Sequence, residues 1–539
     1  MYKNSKFAII LPIVVACSVI LGVLISGTII KPSPNSQGRR TVRYITSGGN
    51  KIDALMTFIN TRYVDTVNMD SLTERVMPLL LEELDPHSVY IPAKDFGNAN
   101  ESLEGEFDGI GIVFNMTTDT VIVMNVITGG PSMKAGIMGG DRIIRIDDTT
   151  VAGVKMDQDA VVKRLRGPRG TKVNLGIQRV GIDELIPITV TRDKVPIKSI
   201  TAAYMIEPGI GYINFKEFSR NSHAELMEAV SSLQQQGMRK LILDIRGNGG
   251  GYMDPAITIS NEFLPDKKLI VYQKDRIGKE IRQYSDGRGR LTGLGLVLLI
   301  DEGSASSSEI FAGALQDHDR AILIGRRSFG KGLIQEQIPF GDGSAVRLTI
   351  ARYYTPSGRS IQKPYSDGKE QYYNELFTRY EHNEFFTADS IQFKDTVKYY
   401  TDSGRVVHGG GGIMPDVFVP QDTVGWTVPY FRDAIGKNIL YRYTIDYSDR
   451  HRAELNKIGS LKEMDDFFAK DPDILNGFVA FASRAGLAPD YKGIERSGKL
   501  LMAYIKAYIG RNTPLEDNAY YHALQPIDNV MQKALEEVK

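Results

Sequence analysis

The sequence predicts an α/β protein of several domains, and three observations lead there. Short apolar runs of strand length alternate with amphipathic segments of helical period between Gly211 and Tyr353. Two of those runs, ending at Ile245 and Ile300, pass into turns rich in glycine or serine. Length is the third: 539 residues with 42% hydrophobic content exceed what one core holds, so three or four units are expected. Basic and acidic residues number 65 each, and this balance lacks the charge excess of a nucleic-acid-binding chain. The single cysteine, Cys17, excludes an internal disulfide framework and leaves no cysteine-based zinc site.

Taken in order, Phe7 to Ile30 comprises 24 residues without a charge, preceded by Lys3 and Lys6. That is long enough to span a bilayer and longer than a signal-peptide core, so a single membrane anchor is expected within residues 1–30. The basic flank favours a cytoplasmic N-terminus and an extracytoplasmic body, the alternative being a secreted chain with its signal removed. Residues 31–50, rich in Pro, Ser, Gly and Arg, form a tether. Residues 51–98 carry helical stripes, Ile52, Leu55, Met56 and Ile59, then Val76, Leu79, Leu80 and Leu84. Leu84-Asp85-Pro86-His87-Ser88 ends this segment as a proline-terminated helix would, with His87 in a structural place.

Residues 99–192 have their own signature. Gly109-Ile110-Gly111-Ile112 feeds a strand, and Gly130 to Gly136 and Gly140 to Asp147 follow. This stretch resembles a PDZ domain of the bacterial protease type. The resemblance implies that Gly109, Ile110, Gly111 and Ile112 hold a peptide's terminal carboxylate while the peptide adds a strand to the sheet edge. Val161, Val162 and Leu165, at helical spacing, belong to the groove wall or the core.

In the region 193–420, strands are expected at Gly211 to Phe215, Lys240 to Ile245, Leu296 to Ile300, Ala321 to Ile324 and Val346 to Tyr353, with helices at Ala224 to Gln235 and Glu309 to Asp317. The helix from Glu309 has one apolar face, Ile310, Phe311, Ala314 and Leu315. Ser306 therefore stands where a strand has ended and a helix begins, and N–H groups at a helix start lack partners and suit a developing oxyanion. Ser306 and Glu309 also spell S-x-x-E, a capping box that needs no chemistry. Lys331 lies between two glycines 25 residues on, followed by Gln335. A lysine takes a serine proton near neutral pH only if burial lowers its pKa. His318, twelve residues beyond Ser306 on the same expected helix, would lie about 18 Å away and is expected at the surface. Gln335 on a regular strand would be about 13 Å from Lys331, so contact needs a bend, expected at Gly330 or Gly332. His223 and His408 sit in no triad motif.

GSASSSEIFAGALQD, from Gly303, and SFGKGLIQ, from Ser328, resemble the two signature blocks of the C-terminal processing (tail-specific) peptidases, serine peptidase family S41, and the likeness extends from about Leu55 to Pro420. It implies Ser306 as nucleophile, Lys331 as general base and Gln335 as the residue orienting the lysine. It also implies oxyanion-hole N–H groups from Ser307 and from Gly250 or Gly251, and a core built as the β/α spiral shared with the crotonases. No cofactor or metal is expected. Substrates would be proteins with accessible, apolar C-terminal tails, and a homo-oligomer or an activating partner stays open. Residues 421–539 are expected to be helical, from amphipathic segments such as Leu461 to Phe468 and Lys499 to Ile509. Two other classes fit parts of the chain. A non-catalytic PDZ scaffold or chaperone is disfavoured by the intact Ser306 and Lys331, and a crotonase-like acyl-CoA enzyme by the PDZ segment and the N-terminal apolar run.

Overall fold

A computed structural model describes residues 50–116, 119–392 and 395–539. The expected anchor and nearly all of the tether lie outside the described residues, among which no helix is long and apolar enough to cross a membrane. The chain falls into two units, residues 1–73 and 74–539. The first contains α1 (Lys51–Arg62), whose start is capped by the Asn50 side chain accepting the Ile52 N–H at 3.2 Å. The helical period is there, but none of its residues is buried, and Leu55 is 58% exposed. In α2 (Met69–Glu82) the expected stripe is also not the covered one: Leu79 and Leu80 are exposed and Leu81 is buried. Three successive leucines point in three directions, so periodicity alone does not choose among them. The extended β1 (Val89–Ile91) follows.

The next elements are β2 (Glu106–Gly109), β3 (Ile112–Asn115), β4 (Val121–Val126), β5 (Arg142–Ile146), α3 (Gln158–Leu165), β6 (Lys172–Gln178), β7 (Ile186–Thr191) and β8 (Asp193–Pro196). Strands β3-β4-β5-β6-β7 form an antiparallel sheet in that order, and β2 pairs with β8. Alternate residues such as Val121, Val123, Val173 and Leu175 fill its core together with Val161 and Leu165 of α3, whereas Val162 is only half-buried.

The larger body begins with β9 (Ile200–Glu207), β10 (Ile210–Phe215), α4 (Ser222–Gln235), β11 (Lys240–Asp244), α5 (Met253–Phe263), β12 (Leu269–Asp275), β13 (Glu280–Tyr284), β14 (Gly295–Ile300), α6 (Ser307–Asp317) and β15 (Ile322–Gly325). It continues through β16 (Leu333–Pro339), β17 (Ala345–Tyr354), α7 (Lys369–Glu381) and β18 (Val417–Phe418). One sheet has the order β9-β10-β11-β14-β15-β18, parallel from β10 onward. Its strands read as unbroken apolar runs because both faces are covered. Ile213, Leu243, Leu298 and Leu323 meet α4, α5 and α6 on one side. Tyr212, Ile242, Val297 and Ile324 meet residues of the C-terminal helix on the other. A second sheet has the order β1-β17-β12-β13, with β16 also on β17. Every residue of α6 is buried, so the expectation of a single buried face is corrected: α5 packs on it as well as the sheet.

From Pro429 the chain is largely helical: α8 (Pro429–Gly436), α9 (Ile439–Arg450), α10 (Leu461–Ala469), α11 (Ile474–Arg484), α12 (Tyr491–Arg511), α13 (Asp517–Leu524) and α14 (Asn529–Val538). The segments expected from Leu461 and Lys499 fall in α10 and α12. These helices reach both neighbours. Val530, Met531, Ala534, Leu535 and Val538 of α14 lie on the parallel sheet, and Asp449 of α9 pairs with Arg142 of β5 at 2.7 Å.

Candidate active site

Ser306 sits between β14 and α6 with φ 57° and ψ −114°, a backbone conformation that an L-residue holds only when its surroundings enforce it. Two side chains enforce it, and the same two hold Lys331. The Glu309 carboxylate, fully buried in the first turn of α6, accepts the N–H of Ser306 and the N–H of Lys331 on one oxygen, each at 2.9 Å. Its other oxygen accepts Ser328 Oγ–H at 2.6 Å and Gly330 N–H at 2.7 Å. On the carbonyl side, the Tyr353 hydroxyl lies 3.0 Å from the oxygen of Ser306 and 2.5 Å from that of Lys331. The S-x-x-E capping box is thus present, but it also ties the serine's backbone to the lysine's. The glycine run after His408 packs beneath this segment: Ile413 N–H donates to Ser328 Oγ at 2.6 Å and Arg327 donates to Gly411 O at 2.7 Å.

Ser306, Ser307, Gly250, Gly251, Lys331, Gln335, Tyr353 and Arg347 line one cleft of about 490 Å³. All six residues expected from sequence for the nucleophile, base, lysine orientation and oxyanion hole are therefore gathered there. Burial, reinforced by the Arg347 cation, lowers the Lys331 amine to a pKa of about 8, while Glu309 and Asp85 push the other way. Burial raises Glu309 to about 7 against the pull of its hydrogen bonds. An amine with pKa 8 is half neutral at pH 8, where an ordinary lysine is neutral in about 0.3% of molecules.

The turn after β11 is pressed against the serine. At Gly250, φ +103°, a Cβ would lie 2.7 Å from the Ala305 carbonyl and 2.8 Å from the Ser306 Cβ. The Gly250 N–H is given to Asn248 Oδ1 at 3.0 Å, whereas those of Gly251 and Ser307 have no internal acceptor among the described residues. The Ser307 hydroxyl fastens the two elements by lying 3.0 Å from Gly251 O and 3.1 Å from Tyr252 O.

Gln335 lines the cleft, and Gly330, one of the two expected bend positions, has φ +92°. The β16–β17 ladder shifts register between Ile334 and Gln335, skipping Ile350. Its amide donates to Thr349 Oγ1 at 3.2 Å, and Thr349 in turn donates to Asp85 at 3.1 Å. Asp85 is fixed by Ser88 Oγ at 2.6 Å and by the N–H groups of His87 and Ser88. The expected helix-end block is thereby tied through Thr349 to Gln335 in the cleft. His87 donates to or accepts from the Tyr372 hydroxyl at 2.9 Å, and burial with the nearby Lys331 charge holds it at about 4, so it is neutral. His318 is corrected from a surface residue: its side chain is 8% exposed, with Asp402 at 2.9 Å and the Leu269 carbonyl at 2.7 Å. His223 faces Glu262 at 2.8 Å. None of these histidines, nor His408, lines the cleft.

Gly109, Ile110, Gly111 and Ile112 are not part of that cleft. They form the turn between β2 and β3, with Gly111 at φ +75° and the carbonyls of Ile110 and Gly111 held by Ser132 N–H at 2.8 Å and Ile127 N–H at 3.0 Å. Sequence reasoning missed Asp85, Thr349, Tyr353 and Arg347, and saw Glu309 only as a cap. The shared parity of Arg347, Thr349 and Tyr353 in VRLTIARY was the available signal, although the skipped Ile350 breaks the alternation between Thr349 and Tyr353.

A strained serine at a helix start, a half-buried lysine and a glycine turn in one cleft have the layout of a serine hydrolase of α/β architecture beside a small β domain. The profile of peptidase family S41 matches residues 209–368, that of the PDZ domain residues 109–190, and that of a family of unknown function, DUF8443, residues 430–513. A carboxy-terminal-processing protease of Bartonella bacilliformis is 38% identical over 309 residues, covering 56% of this chain and 70% of that protein. A probable CtpA-like serine protease of Staphylococcus aureus is 32% identical over 314 residues, 58% of this chain and 62% of that one. The crystal structure of the PDZ domain of a carboxy-terminal protease from Vibrio cholerae in complex with peptide is 35% identical, covering 17% of this chain and 97% of that chain, with a TM-score of 0.16. The chain belongs to peptidase family S41 and is a carboxy-terminal-processing serine protease with a PDZ domain.

Proposed function

We propose that this protease is a membrane-anchored, extracytoplasmic endopeptidase that captures apolar C-terminal tails in its PDZ domain and cuts with a Ser306–Lys331 dyad. The observation that carries the reading is the shared suspension of the two residues: Glu309 takes both N–H groups and Tyr353 faces both carbonyls. In the first step Ser306 Oγ adds to the scissile carbonyl carbon as its proton passes to neutral Lys331. The oxyanion rests on the N–H groups of Ser307 and Gly251, Gly250 being committed to Asn248. Collapse expels the amine, which takes the proton from the lysine, and leaves an acyl-enzyme. Water then gives a proton to Lys331 and attacks the ester carbonyl, and collapse breaks the ester bond, with Ser306 Oγ taking the proton back from Lys331 and the new carboxyl terminus released. Gln335, held through Thr349 to Asp85, orients the lysine from the cleft wall.

The PDZ role rests on the Gly109 to Ile112 turn and its edge strand β3, and the anchor and periplasmic location on the uncharged run from Phe7 to Ile30. A crotonase-like spiral for residues 193–420 is supported by the sequential parallel order of β10, β11, β14 and β15. Digestion of a loosely folded reporter with an apolar tail, beside the same reporter amidated or charged at its end, tests the reading. Wild-type protein is expected to remove the apolar-tailed reporter selectively. Ser306→Ala and Lys331→Ala are expected to lower turnover about a thousandfold or more while still binding the tail. Cleavage by either variant at a rate near wild type would dismiss the dyad.

A further inference from the structure

The catalytic cleft contains a cation whose only part in the chemistry above is its repulsion of the Lys331 charge. Arg347, on β17, lines the cleft with Ser306 and Lys331. It is half-buried, and its guanidinium donates only to neutral amides, from Nη2 to Asn100 Oδ1 at 3.1 Å and to Gln337 Oε1 at 2.9 Å. Among the described residues no carboxylate lies within ion-pair distance of it, and its Nε and Nη1 donors have no acceptor. Removing a cation from water without a counter-ion is costly, and a planar fork with donors left over is built to receive an anion.

The surrounding charges point the same way. Lys216 lines the same cleft, and the one acid among its lining residues, Glu217, accepts from Ser102 Oγ at 3.0 Å and is pushed by burial toward its neutral form. The cleft therefore carries a positive excess where a polypeptide must pass to reach Ser306.

We propose that Arg347 binds a carboxylate of the substrate inside the catalytic cleft, so that the enzyme favours an anionic group at one fixed position beside the scissile bond. A polypeptide supplies that chemistry from an Asp or Glu side chain or from a free chain end. The place of cutting rests on the Ser306–Lys331 reading, but binding does not need turnover, which keeps the two separable. The occupied site neutralises the Arg347 charge, so the acidic group contributes to affinity while the apolar tail engages the PDZ domain.

The test uses the full-length protein and a set of internally quenched peptides ending in one apolar tail, with Glu or Gln placed in turn at each position flanking the cut. A second arm compares short peptides ending as a free acid or an amide just beyond it. Wild type is expected to favour the anionic member of one pair on the order of tenfold in kcat/KM, chiefly through KM. Arg347→Gln should erase that preference, and Arg347→Lys should restore part of it. Which arm shows the effect identifies the carboxylate. Competition binding to the Ser306→Ala protein should give the same ranking without cleavage, and unchanged melting of the Arg347 variants separates lost recognition from lost folding. No anionic preference in either arm, or an equal preference in Arg347→Gln, would overturn the proposal, whereas turnover by Ser306→Ala would overturn only the dyad.

Discussion

At the scale of single residues, Glu309 does more than any one motif suggested. A carboxylate has two oxygens, and here each accepts two donors, so the group joins the start of α6 to the lysine segment through Ser306, Ser328, Gly330 and Lys331. Glu309→Gln replaces one oxygen by an amide nitrogen that points its own hydrogens at two N–H groups or at a hydroxyl and an N–H. Leaving such buried donors unmet costs about 1–3 kcal/mol each. The expected result is a loss of kcat/KM of about a hundredfold or more, with a lowered unfolding midpoint, read by peptide assay and denaturant titration. The S-x-x-E spacing made half of this legible. The other half was hidden because the partners at Ser328, Gly330 and Lys331 are brought in by β15 and its following loop, which no local window contains.

At the scale of elements, the site is a meeting of turns. The β11–α5 turn carries Gly250 and Gly251, the β14–α6 turn carries Ser306, and the β15–β16 connection carries Lys331. These turns share one end of a parallel sheet, where ligands of open α/β folds gather. Gly250→Ala brings a methyl group within 2.7 Å of the Ala305 carbonyl at a φ that disfavours any side chain, so the serine turn must shift. Activity is expected to fall about a hundredfold, with tail binding to the PDZ domain unchanged, as measured by fluorescence anisotropy of a labelled tail peptide. The strand and helix order of this region was readable because every central strand is an apolar run of buried-strand length. The chain from Gln335 through Thr349 to Asp85 was not, since its last link joins residues 264 apart in sequence. The register shift at Ile334 and Gln335 was invisible for a related reason: a skipped residue leaves no mark in the alternation until its partner strand is known.

At the scale of the whole molecule, the helical C-terminal region completes the fold. It covers one face of the parallel sheet with α14 and reaches the β5 strand of the PDZ domain through Asp449. Leu535, 5% exposed on that sheet face, is expected to cost about 2–5 kcal/mol when cut to alanine, and the loss should appear in the unfolding of the protease core as well as the helices. Separate unfolding of the helical region, with the core midpoint unchanged, would contradict this. The sequence announced helices here from their amphipathic period, but not what they cover, because an apolar stripe names a face and not its partner.

The most direct test of the central claim is the rate at which a fluorophosphonate probe modifies Ser306 in the full-length protein, followed by mass spectrometry from pH 6 to pH 10. A base that works neutral, with its pKa lowered to about 8 by burial and by Arg347, gains reactivity as pH rises and reaches half its maximum near pH 8. The account predicts that profile in wild type, modification at Ser306 alone, and almost none in Lys331→Ala at any pH in the range. A rate independent of pH, a label on another residue, or a Lys331→Ala protein labelled as fast as wild type would contradict it.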